Sequence, residues 1–171
     1  MSRNLIILIL TAIVLLVLQV LVLKYFVLFG LGFCFLYVMF LLFLPYEMGN
    51  SGLMLIGLIV GLIVDLFYNT LGIHAAASVF IMFIRPFWLK ANKPRSGYEV
   101  NSLPTIMNYG LGWFITYALP LIIMHALMVF LIESGSSQLI GLAIVKTLFT
   151  GVISLVFMVA IQYLFYNKTK R

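Results

Sequence analysis

The chain has 171 residues, of which 65% are hydrophobic and 8% charged, and it carries a formal net charge of +6. A soluble domain holds roughly 25% charged residues, and one of this size leaves too much surface in water to hide such an excess of apolar side chains. The positive charge gathers at the two ends and in residues 85–95; this distribution marks the cytoplasmic side of a membrane protein and excludes a nucleic-acid surface.

A spanning helix needs about 20 apolar residues. Residues 5–23 meet this, interrupted by Thr11 and Gln19. The run is too long for the core of a signal peptide, and no small-x-small cleavage site follows, so it reads as a retained first span. Lys24 and Tyr25 mark an interface. The second apolar run is 26–44, whose early Phe29-Gly30-Leu31-Gly32 has the character of a turn. Residues 45–51 form a turn rich in helix breakers. The third span is 52–68, with Asp65 near its end. The fourth, 72–89, is the weakest: its apolar core is broken by His74 and Ser78 and closed by Arg85 and Pro86, with Phe87 and Trp88 as interface anchors. After a polar stretch, 90–103, the fifth span covers 106–132 with a kink expected at Pro120. A loop at 133–138 leads to the sixth, 139–166, which contains Lys146.

Charge decides whether the fourth span is real. With six spans and the N-terminus inside, Arg3, Arg85, Lys90, Lys93, Arg95, Lys168, Lys170 and Arg171 fall on the cytoplasmic side and Lys24 outside. Omitting the fourth would strand the basic loop and the basic tail outside, against the positive-inside rule. The expected fold is all-α: one polytopic membrane domain of six transmembrane helices with both termini cytoplasmic. Continuous apolar runs exclude a membrane barrel, whose strands alternate.

An ionisable group at mid-helix in lipid costs roughly 2.5–3.5 kcal/mol on insertion scales, which makes each one a candidate site. This topology puts Asp65, His74, His125 and Lys146 in the outer half of the membrane. The expectation is a polar cluster in which Asp65 pairs with Lys146. Against it stand two plainer readings, a Lys146 that snorkels to the interface and an Asp65 that caps the turn into Asn69. Gly57, Gly61 and Asp65 recur every four residues and share one helix face; with Ala75, Ala76, Ala77 and Ser78 opening the next helix, they point to close pairing of spans three and four. Cys34 stands alone, so neither an intramolecular disulfide nor a cysteine metal site is available. The sequence holds no His-Glu-x-x-His, no metal-binding carboxylate group and no Gly-x-Ser-x-Gly. The reading is of a non-enzymatic protein without cofactor or metal.

The stretch GLIVGLIVDLFYNTLGIHAAA, residues 57–77, resembles the signature region of the rod shape-determining MreD family, with Gly57, Gly61, Asp65, Leu66, Leu71, Gly72 and Ala76 at the family positions. The RPFW at 85–88 and the GWFITYALPL stretch look like versions from Bacteroidota. The resemblance implies a scaffold of the cell-wall elongation complex in the bacterial inner membrane. It implies regulation of cell shape and peptidoglycan synthesis through MreC, with MreB, RodA and a penicillin-binding transpeptidase in the same assembly, and contacts to lipid. The six-span layout also resembles substrate-binding subunits of energy-coupling-factor transporters. The sequence reading expects the glycine face and the polar cluster to organise a surface for a single-span partner such as MreC. The alternative is a substrate-binding subunit of a vitamin-type transporter, with the four polar residues lining a pocket; a first span holding only Ala12 as a small residue speaks against it. A lipid enzyme lacks a nucleophile or metal.

Overall fold

The computed structural model describes the backbone of residues 3–95, 97–99, 102–135 and 139–164, and side chains from residue 8 onward within them. The helices are α1 (Arg3–Leu21), α2 (Val38–Phe43), α3 (Asn50–Tyr68), α4 (Ile73–Ala91), α5 (Ile106–Tyr109), α6 (Leu111–Ser134) and α7 (Ile140–Leu164), with a 3₁₀ turn at Leu23–Tyr25. Five of them, α1, α3, α4, α6 and α7, are long and apolar enough to cross a membrane. The chain has the character of an all-helical, multi-pass membrane protein. The basic tail and the end of the sixth expected span, residues 165–171, lie outside the described residues, as do residues 136–138 of the last loop.

The expected helix over 26–44 is not built. After the 3₁₀ turn the chain makes a hairpin in which Leu28 and Gly32 exchange hydrogen bonds of 2.8 and 2.9 Å. It then runs on without regular structure and turns helical only in α2. Every residue from 34 to 44 is buried. Irregular backbone at membrane depth is tolerated where protein encloses it, and here side chains from four helices supply the missing partners. Gln19 of α1 accepts from Leu36 N–H (2.7 Å) and donates to Cys34 C=O (2.9 Å). Thr150 and Ser154 of α7 accept from Phe33 and Phe35 N–H (3.0 and 2.9 Å). Arg85 of α4 donates to the carbonyls of Leu42 (3.1 Å) and Leu44, and Tyr117 of α6 donates to Leu42 C=O (2.9 Å).

Two further expectations need correction. The fifth span does not start at Ile106: Gly110, at φ 84° and ψ 163°, breaks the chain between α5 and α6. That conformation belongs to glycine. Nor do Arg85 and Pro86 close the fourth span, because α4 continues through both to Ala91. Pro86 and Pro120 both sit inside helices, a placement that membrane helices accommodate.

Long helices pair with their chain neighbours, α3 with α4 and α6 with α7, and α4 joins the two pairs. α3 ends at Asn69 in the left-handed region (φ 55°), and α4 starts after Gly72 (φ 83°). Asparagine and glycine are the residues that reach this region at low cost. The irregular 34–44 segment fills the space between the pairs and forms much of the core.

Candidate functional site

The Gly57–Ala76 signature is one structural device. A Cβ on Gly61 would meet His74 C=O and Ala75 N at 2.7 Å, and one on Gly57 would meet Ser78 C=O at 3.0 Å. The backbones of α3 and α4 therefore touch, as the four-residue spacing anticipates. One turn beyond Gly61, the Asp65 carboxylate reaches the start of α4. It accepts from His74 N–H (3.0 Å), Ala75 N–H (2.9 Å) and the Thr70 hydroxyl. It thus satisfies orphan donors of a helix N-terminus and sits at the positive end of the α4 dipole. Gly72 supplies the left-handed turn. Leu66, Leu71 and Ala76 face outward.

This geometry overturns the pairing of Asp65 with Lys146. The Lys146 ammonium lies over the rings of Phe33 and Phe130, at 5.8 and 5.6 Å. Asp65 instead does the plainer work of capping, and it caps the helix that follows. The expected polar cluster forms in part. His74 and His125 meet through a residue the sequence reading did not single out: Tyr37, whose hydroxyl lies 3.1 Å from His74 Nδ1 and 2.7 Å from His125 Nε2. A hydroxyl has one proton to donate, so at least one of the two histidines donates to Tyr37. The Phe35 ring meets both imidazoles edge-on at 5.4 Å. All these side chains are buried. His125 Nδ1 has no partner among the described residues. Among the described residues, no group of three His, Cys, Asp or Glu is placed to hold a metal ion.

The glycine face also cannot serve a partner's helix, because α4 occupies it. The expectation of a docking surface at Gly57 and Gly61 is withdrawn on that ground.

Arg85 is not a loop residue. It is fully buried, with Nε donating to Tyr117 Oη (2.7 Å) and Nη2 donating to the carbonyls that end α2. The planar fork of a guanidinium suits this multiple donation. Lys90, Lys93 and Arg95 are exposed, as a basic loop should be. Beside them, the rings of Tyr46, Tyr98, Tyr109 and Trp113 meet in sequence, tilted or edge-on, with centroids 5.1, 5.5 and 4.6 Å apart. The Tyr98 hydroxyl donates to Leu89 C=O (2.8 Å), and burial pushes its phenol up to about 12.

Gln19 is the other residue that sequence reasoning passed over. Besides holding Cys34 and Leu36, it donates to the Tyr68 hydroxyl (2.7 Å) and is fully buried. A glutamine in the first apolar run was the available signal, since a polar amide in a membrane helix needs partners.

No family model, curated protein or solved structure matches the chain.

Proposed function

We propose that the chain is an MreD-like scaffold of the cell-wall elongation complex, seated in the bacterial inner membrane and acting without chemistry of its own through MreC and the associated synthases. One observation carries the reading. The residues that resemble the family signature, Gly57, Gly61, Asp65 and Gly72, act together to fix the α3–α4 hairpin. A motif built for helix packing suits a protein whose task is to present surfaces.

The proposed topology has six crossings, the second made by the irregular segment and α2. Gln19 lies near one end of α1 and Arg85 toward the opposite end of the bundle; between them they hold residues 34–44. In the proposed topology that segment passes from one side to the other and keeps the alternation of the helices. With Arg85 buried, the proposed topology still assigns Arg3, Lys90, Lys93, Arg95 and the basic tail to one side and Lys24 to the other. This distribution supports a topology with both termini in the cytoplasm.

The transporter alternative asked for a pocket lined by Asp65, His74, His125 and Lys146. The first three are committed to internal hydrogen bonds or ring contacts. A cavity of 460 Å³ lies elsewhere, among α1, α2, α5 and α7, and its lining is almost entirely apolar.

Depletion of the protein in a rod-shaped host tests the proposal. Cells should round up with unchanged lipid composition, and MreC should co-purify with the tagged chain. Rods that keep their shape, or a chain that does not retain MreC, would refute it.

A further inference from the structure

The helix ends on the side of the α6–α7 connection are not level. Leu10 and Val14 of α1 face Ile161 of α7 across one cavity. Gln19 holds Cys34 and Leu36, whose neighbours Phe33 and Phe35 bond Thr150 and Ser154. The two helices are therefore in register with Gln19 beside Thr150–Ser154, and α1 stops at Leu21. From Thr150, α7 continues ten residues to Ile140, about 15 Å at the α-helical rise. The stretch that follows α1 is seated on the middle of α7. Phe26 packs on Phe157 at 5.5 Å, and Gly32 lies against Phe149 and Ile153. Residues 22–33 thus form a ledge at mid-helix depth, with the rest of α7 rising beside it.

The backbone of the ledge is not built for hydrocarbon, although its exposed Val27 and Leu28 side chains are apolar. Tyr25 and Phe29 are 77% and 81% exposed. Val27, Phe29 and Gly30 find no backbone partner within the described residues. Phe29 (φ 54°) and Gly30 (φ 70°) form a hairpin turn whose first position favours Asn, Asp or Gly. Irregular backbone open to lipid does not occur inside the hydrocarbon layer. Lys24 and Tyr25 are residue types of the membrane–water interface.

The two faces of α7 agree with this division. Directly above Thr150, one turn along the same face, stands Lys146, over Phe33 of the ledge and without a carboxylate partner among the described residues. It lines a hollow of 180 Å³ with Glu133 and Ser134. On the opposite face, Val145, Leu148 and Val152 are exposed and apolar.

We propose that the 22–33 ledge thins the adjoining leaflet: lipid phosphates and water descend onto it on one side of α7, where Lys24 and Lys146 meet the phosphates, while acyl chains keep their full depth on the other. The inference rests on the membrane-spanning character of the helices and not on the role in wall elongation. The test uses the full chain with Cys34→Ala, reconstituted in phosphatidylethanolamine–phosphatidylglycerol vesicles. A nitroxide is placed at Phe29→Cys, or at Tyr25→Cys should the first variant fail to fold, and at Val152→Cys on the opposite face. Collision with oxygen is compared with collision with a water-soluble nickel chelate. The logarithm of the ratio should have the hydrocarbon sign at 152 and the opposite, headgroup sign at 29 or 25. A hydrocarbon sign at both depths overturns the proposal.

Discussion

Replacing Asp65 with alanine should be among the most damaging single changes in the chain. The carboxylate accepts two backbone N–H groups at the start of α4, at 3.0 and 2.9 Å, and both lie in a buried setting. Each donor left unsatisfied costs roughly 1–3 kcal/mol, and loss of a negative group at a helix N-terminus adds about 0.3–1 kcal/mol. Asp65→Ala should therefore lower stability by about 2–7 kcal/mol. Asp65→Asn, which keeps one acceptor oxygen and a good capping side chain, should recover about half of that loss. Unfolding in mixed micelles by increasing dodecyl sulfate, followed by far-ultraviolet circular dichroism, reads both values. Exchange of charge, Asp65→Lys with Lys146→Asp, should be no better than Asp65→Lys alone, because the two side chains do not meet. The capping argument fails if the alanine variant stays within about 0.5 kcal/mol of wild type, the range of an ordinary surface change, or if the exchange rescues.

The same assay should show Gly61→Ala losing roughly 2 kcal/mol, since its Cβ would press on unyielding α4 backbone at 2.7 Å; Gly57→Ala should lose less, because the flexible Met82 side chain at 2.9 Å can give way. Gln19→Leu keeps the volume but orphans Cys34 C=O and Leu36 N–H, which at roughly 1–3 kcal/mol per buried group should loosen the irregular segment. Cys34, 1% exposed, should then react with a maleimide that does not modify wild type. Tyr98 gives a pH signature. Burial holds its phenol neutral up to about 12, so its stabilising contribution is complete below the ordinary phenol value near 10 and is lost as pH rises through 12. Tyr98→Phe should remove one step of phenolate absorbance near pH 12 and flatten the stability loss over that interval.

Four of the five long helices after correction lie within two or three residues of the expected spans, because runs of about 20 apolar residues and flanking charge report bilayer crossing directly. The exception inside them is Gly110, where one backbone angle, invisible to hydropathy, detaches α5 from α6. The 26–44 run was misread for a related reason. Buried extended backbone and buried helix share the same apolar composition and cannot be told apart by periodicity. What separates them here is remote: Thr150 and Ser154 lie more than 115 positions along the chain from the amides they serve. The contact of α3 with α4 was legible because Gly57, Gly61 and the alanines at 75–77 carry it on two adjacent helices. The role of Asp65 was half legible, as a cap but on the wrong turn. Tyr37 was not, since nothing local to it announces two histidines from distant helices.

The dependence of the 26–37 backbone on α7 has a consequence for synthesis. Thr150 and Ser154 emerge from the ribosome long after Phe33 and Phe35, so during insertion those amides have no partner at all. In lipid the self-sufficient arrangement is a helix, and the apolar run is long enough to form one. A ribosome-bound chain truncated before residue 150 should therefore display a longer helix over 26–44 than the finished protein.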